Sequence, residues 1–193
     1  MRRQFTNALI KLRSPQKNCT MSYNPDIHHR RSIRLKGYDY SQAGAYFVTI
    51  CINHRQPLLG AIADGIMHPT PAGTMVQTIW EELPFHYPNI ELDAFVLMPN
   101  HIHGIIILKS AQIEPVMTLG EIMHRFKSFT TTKYRHGVHQ EQWQPFMGRL
   151  WQRNYYEHII RNQEICDRLR QYIANNPSSW ESDLLYPNSD RHY

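Results

Sequence analysis

The chain has 193 residues, 41% of them hydrophobic and 11% aromatic, which suffices for one domain with a real core and excludes a disordered chain. No window approaches the ~18 continuous apolar residues of a membrane span, and the basic N-terminus lacks the apolar centre of a secretory signal, so a soluble cytoplasmic protein is expected. A formal net charge of +5, with 21 Lys and Arg against 16 Asp and Glu, favours a polyanionic partner without identifying one.

Residues 1–22, with "MRRQ" and "KLR", read as a flexible basic tail, ahead of a single domain over 23–183 and a C-terminal tail over 184–193. Between tail and core, Arg30, Arg31, Arg34 and Lys36 are cations that gain from counterion release at phosphates without needing fixed geometry. "AYFVTICIN" (45–53) is β-branched and aromatic and predicts a strand. "ADGIMHPTPAG" (63–73) predicts a turn-rich connection. Met75, Val76, Ile79 and Leu83 recur at helical spacing, and Pro84 and Pro88 are expected to stop that helix. "IELDAFVLM" and "HIHGIIIL" predict two strands joined by Pro99 and Asn100 in a tight antiparallel hairpin. Leu119, Ile122, Met123 and Phe126 mark a second helix whose other faces carry Arg125, Lys127 and Lys133. After it, "HGVHQEQWQPFMG" predicts a loop, "LWQRNYYEHII" an extended segment, and "NQEICDRLRQYIANN" a helix ended by Pro177. This order predicts an α+β fold, an antiparallel sheet with packed helices of the split βαβ, ferredoxin-like type.

Chemistry concentrates at two places. His101 and His103 stand two apart on a strand, so both rings project from one face. Either they are hydrogen-bonded sheet histidines or they share a metal ion. The isoleucines around them imply burial, where an unpartnered polar ring costs about 1–3 kcal/mol, so both readings demand partners. Tyr172 and Asn176, four apart, share one helical face. Tyr172 also continues the apolar pattern of Ile165, Leu169 and Ile173, as an ordinary core-edge tyrosine would, and Asn176 before Pro177 suits a helix end. Cys19, Cys51 and Cys166 form no CxxC pair and indicate neither a disulfide framework nor a zinc knuckle.

"MPNHIHGIIIL", "LWQRNYYEHIIRN" and "YIANNPSSW", with "RRSIRLKGYDYSQAGAYFVTICINHRQPLLG" upstream, closely resemble the single-tyrosine HUH transposases, IS200-like and in particular REP-associated. The resemblance runs from about Arg30 to Trp180 in the family's motif order. It implies that His101 and His103 hold a divalent metal with Asn176 as third ligand, that Tyr172 is the nucleophile, and that Mg2+ or Mn2+ is the cofactor. It further implies attack by Tyr172 on single-stranded DNA beside a REP-like hairpin, leaving a 5′-phosphotyrosine and a free 3′-hydroxyl. The residue types agree: a phenol of pKa about 10 needs a nearby cation or base to attack phosphorus. Two imidazoles and an amide suit zinc or manganese better than magnesium on softness alone.

DNA in that role calls for cations along the backbone and aromatics under the bases. Arg34, Lys36, Arg125, Lys127, Lys133 and Arg153 are the candidates for the first, and Trp143, Trp151, Tyr155 and Tyr156 for the second. His158 is a candidate partner for a metal ligand. The protein is expected to work as a monomer or homodimer, with no membrane. Two other readings stay open: a domesticated hairpin-DNA-binding protein that no longer cuts, and a small metallohydrolase drawing on Asp93 or Glu91 beside the histidines.

Overall fold

The computed structural model describes residues 37–110 and 117–187. The basic tail and the candidates Arg34 and Lys36 lie outside the described residues. In chain order the elements are β1 (Gly44–Cys51), β2 (Gly60–Ala63), β3 (Ile66–Pro69), α1 (Pro71–Glu81), α2 (Leu83–His86), β4 (Ile90–Met98), β5 (His101–Leu108), α3 (Leu119–Gln140), β6 (Tyr156–Ile160) and α4 (Gln163–Asn175). Short 3₁₀ segments cover Asn53–Arg55 and Pro177–Ser182.

The main sheet has the order β4-β5-β1-β6, every neighbour antiparallel. Because β5 lies antiparallel between β1 and β4, those two run parallel with a strand inserted, which is the split βαβ arrangement of an α+β fold. Pleating sorts the side chains into two layers. Tyr46, Val48, Ile50, Ile102 and Ile106 join the large core with Ile79 and Trp80 of α1 and Ile122, Met123 and Phe126 of α3. Phe47 and Ile105 face the other way and pack with Cys166 and Ile173 of α4. His101 and His103 belong to this second face, since they alternate with Ile102 on β5.

Gly104, next to His103, shows how tightly the large core presses on that strand: a Cβ there would meet the Trp80 ring at 2.3 Å. Local signals fix the helix starts. Thr70 caps α1 through the Gly73 amide, Thr118 and Glu121 form a reciprocal capping box on α3, and Asn162 caps α4 through the Ile165 amide.

Several boundaries differ from expectation. Residues 63–73 are not merely a connection: β2 and β3 pair across Asp64 and Gly65, both at positive φ (52° and 72°), as a two-residue hairpin turn requires. Strands of four residues, one ending in proline, are too short to show a period. Pro84 does not end helical structure but opens α2, where its missing N–H has no cost. Helix α3 continues through residues 136–140, expected as loop, because Gly137 lets Trp143 lie against it; a Cβ there would come within 2.3 Å of that ring. Only the end of the extended segment is strand, Trp151 making an isolated bridge to Ile52. Beyond residue 183, Leu184 O accepts from Arg55 Nη1 at 3.2 Å and Leu185 O from Asn100 Nδ2 at 2.9 Å. Among the described residues no helix is long and apolar enough to cross a membrane.

Candidate active site

The hairpin after β4 turns on Pro99 and Asn100 and pairs Met98 with His101, so the first residue of β5 is the first histidine. Asn100 is buried, and its Nδ2 donates to Arg55 O (3.1 Å) and Leu185 O (2.9 Å). That leaves Asn100 Oδ1 as acceptor, so His101 Nδ1, 2.7 Å away, must donate to it. His101 Nε2 therefore carries the free lone pair. On β1, Thr49 pairs with His103 and places Oγ1 2.8 Å from His103 Nδ1, orienting the second ring likewise. Phe47 stacks on His103 at 5.3 Å, and Trp180 lies 5.9 Å from His101.

The two Nε2 atoms are 3.0 Å apart. Nitrogens bound at ~2.1 Å to one ion and at right angles to each other would be separated by about 3 Å. Burial pushes both imidazoles down to about 3, assisted by Arg55 at His101 and by His101 at His103, with Asp183 opposing the latter shift. Both rings are thus neutral at pH 7, the form that binds metal.

Helix α4 brings the other predicted residues to this face. Tyr172 Oη lies 3.3 Å from His103 Nε2, its ring edge-on to Phe47 and His103. Burial, then the Asp183 charge, raises its pKa, against a lowering hydrogen bond with Asn176; the phenol is protonated at neutral pH. Asn176 is 2% exposed, its Nδ2 donates to Asp183 Oδ2 at 3.1 Å, and its Oδ1 is buried without a hydrogen-bond partner. An orphaned carbonyl oxygen of this kind costs about 1–3 kcal/mol and is the atom an amide offers to a cation. Donor atoms of His101, His103 and Asp183 lie within 4.8 Å of one another. Two neutral imidazoles, one orphaned amide oxygen and a nearby carboxylate together fit a divalent metal. Tyr172, His103, Asn176, Asp183 and His158 all line one open cleft of about 1160 Å³.

The remaining candidates divide. His158 is exposed on the cleft wall, opposite Phe47 on β1, and the ring partners of the histidines are Thr49 and Asn100 instead. Arg153 lies in a groove with His124, Arg135 and Arg149 that adjoins the cleft through Gln152 and Tyr155. Lys127 lines the same groove, but its ammonium donates to Gln152 O (2.5 Å) and Arg153 O (3.0 Å), and burial lowers its pKa to about 8; it braces that loop. Arg125 lines a hollow with Phe129 that meets the groove at His124, Ser128 and Thr132, and Lys133 sits 5.7 Å over the Phe129 ring. Trp151 is buried with its Nε1 donating to Thr130 Oγ1, Trp143 packs on Tyr134, and Tyr156 is exposed at the cleft. Asp93 and Glu91 are ion-paired with Arg170 and Lys109, and the carboxylate beside the histidines is Asp183 instead.

Thr49, Asn100 and Asp183 escaped sequence reading. Asn100 carried a turn signal that masked its second role. Thr49 depends on strand register, and Asp183 stands seven residues past Asn176 outside any helical period.

Residues 71–176, more than half of the chain and inclusive of the histidines, Tyr172 and Asn176, match the family described as transposase IS200 like. An uncharacterized protein of Haemophilus influenzae is 40% identical over 184 residues, covering 86% of this chain and 98% of that one. A solved structure described as the REP-associated tyrosine transposase bound to a REP hairpin is 21% identical with a TM-score of 0.53, covering 77% of this chain and 74% of that chain; at that identity the likeness concerns the fold. With the histidine hairpin and the tyrosine helix both inside the matched segment, the chain belongs to the IS200-like transposase family.

Proposed function

We propose that this transposase cleaves and rejoins single-stranded DNA beside REP-like hairpins through a 5′-phosphotyrosine on Tyr172, with Mg2+ or Mn2+ held by His101, His103 and Asn176. The observation that carries the reading is the convergence of the Tyr172 hydroxyl, the His103 imidazole and an orphaned Asn176 oxygen in one cleft, with Tyr172 Oη 3.3 Å from His103 Nε2 and the buried His101 Nε2 3.0 Å behind it. A divalent cation at that position supplies charge neutralisation at the scissile phosphate. Tyr172 Oη forms the bond to phosphorus, its proton passing to water in the open cleft. The bond from phosphorus to the 3′-oxygen breaks, and that oxygen is protonated to a free 3′-hydroxyl. Burial raises the phenol's pKa, and a cation held by His101, His103 and Asn176 would supply the positive charge that favours its phenolate. Reversal with another strand's 3′-hydroxyl rejoins DNA without ATP, since the ester conserves the bond.

Tyr156 gives the cleft an exposed ring for base stacking, and Arg135, Arg149 and Arg153 give the adjoining groove its charge. The hairpin in the neighbour's description supports the same class of substrate. The test uses hairpin oligonucleotides drawn from repeats of the host genome, incubated with Mn2+ or Mg2+. An adduct that survives SDS is expected with wild type and absent with Tyr172→Phe, His103→Ala or EDTA. Equal DNA binding by wild type and Tyr172→Phe, with no adduct from either across the panel, would establish a hairpin-binding protein instead. Phosphoester hydrolysis that persists in Tyr172→Phe would establish a hydrolase.

A further inference from the structure

Asp183 directly follows the Pro177–Ser182 segment, and its two oxygens have separate partners. Oδ2 accepts from Asn176 Nδ2 at 3.1 Å, and Oδ1 accepts from the Leu185 amide at 2.6 Å. The first bond decides which end of the Asn176 amide is left over. With Nδ2 bound to a carboxylate, Oδ1 is the buried atom without a partner, and an amide binds metal only through that oxygen. The second bond fixes the loop whose Leu185 carbonyl receives Asn100 Nδ2, and Asn100 in turn orients His101. One carboxylate therefore steadies residues on both sides of the histidine pair. It also lies with them, its oxygen and the two imidazole nitrogens mutually within 4.8 Å. Two imidazoles and an amide carry no formal charge, whereas an anionic oxygen shifts a donor set toward the harder Mn2+ and Mg2+ and away from Zn2+.

We infer that Asp183 is the acidic member of the metal site: it turns Asn176 Oδ1 toward the cation and supplies the negative oxygen that the other three side chains lack. The inference rests on the proposed metal-dependent reading and goes beyond it by naming a residue and a metal preference. It is tested by titrating Mn2+ and Zn2+ into wild type, Asp183→Asn and Asp183→Glu by calorimetry, with metal-free unfolding and the Tyr172 adduct measured alongside. Asp183→Asn is expected to weaken Mn2+ binding roughly 10- to 100-fold, to weaken Zn2+ binding less, and to leave the metal-free chain folded. Asp183→Glu keeps the charge and is expected to recover most of the Mn2+ affinity. Unchanged Mn2+ affinity in Asp183→Asn, an equal loss for both metals, failure of Asp183→Glu to recover, or a metal-free Asp183→Asn chain that does not fold would each overturn it. If wild type binds Mn2+ and forms the adduct while Asp183→Asn does both equally well, the inference alone falls. If wild type binds no Mn2+, the metal-dependent reading falls with it.

Discussion

His101 and His103 have their Nε2 atoms 3.0 Å apart in a region where neither ring is more than 3% exposed. Burial holds each neutral, and the two rings would repel if both were charged. Their folded pKa values, about 3, fall below the ordinary value of about 6.5. Between those limits the unfolded chain binds more protons than the folded one, so stability is full above pH 6.5 and is lost as pH falls toward 3. For the metal-free protein in EDTA, the slope should approach about 1 kcal/mol per pH unit for each ring. Urea unfolding from pH 7 to 4 measures it, and His101→Gln should remove close to half. The same pair shows how far sequence reaches at this scale. Strand period placed the two rings on one face, and helix period put Tyr172 and Asn176 on another. What orients the rings, Thr49 and Asn100, depends on register and on a loop past residue 183, which no local pattern encodes.

Helix α4 carries the tyrosine, yet its apolar seat is small: Cys166 and Ile173 against Phe47 and Ile105, with Leu169, Ala94 and Val96 partly buried beside them. A further attachment comes from Arg170, which grips Asp93 with Nε at 3.0 and 3.1 Å and Nη2 at 2.6 Å, while Nη1 holds Asp167 at 2.9 Å. Asp93 lies where β4 shifts register between Leu92 and Phe95, and such an irregularity redirects a side chain from the regular alternation. The clamp thus joins α4, which carries Tyr172, to the histidine hairpin of the same chain. Arg170→Ala or Asp93→Asn should lower the urea midpoint modestly, as loss of a partly exposed ion pair does. Amide exchange should speed up in α4 while β5 keeps its protection, and adduct formation should fall more than global stability. The exchanged pair, Asp93→Arg with Arg170→Asp, should restore part of both. Elements with strong periods and caps, α1, α3 and α4, were legible, as was the Pro99–Asn100 hairpin. The β2–β3 hairpin and the last turn of α3 were not, because the first has too few residues and the second depends on Trp143 packing at Gly137.

At the scale of the described molecule, the cleft at Tyr172 and the groove along α3 form a continuous tract, since Gln152 and Tyr155 line both. The cleft contributes an exposed aromatic, Tyr156, and the groove contributes Arg135, Arg149 and Arg153, all exposed. On the proposed reading, a strand with its scissile phosphate at Tyr172 would run its backbone into that groove. Residues 1–36 carry 9 Lys and Arg against 1 Asp and residues 37–193 carry 12 against 15 Asp and Glu, so these arginines form a local basic patch and not the seat of the chain's net charge. Lys127 is the exception, its ammonium being tied to two carbonyls of the loop that carries Arg153. The two kinds of basic residue should separate experimentally. In a Tyr172→Phe background, Arg149→Ala with Arg153→Ala should weaken hairpin-oligonucleotide binding at least about tenfold at moderate salt and flatten the slope of log affinity against log salt by about 1.5 to 2. Lys127→Met should instead lower thermal stability and leave the salt slope within about one contact of the parent. Arg125→Ala, on the neighbouring hollow beside Phe129 and outside the groove lining, should change neither if the strand follows the groove. Fluorescence anisotropy across a KCl series gives both slope and affinity, and a loss from Arg125→Ala equal to that of the Arg149 and Arg153 pair would place the strand across the other face of α3.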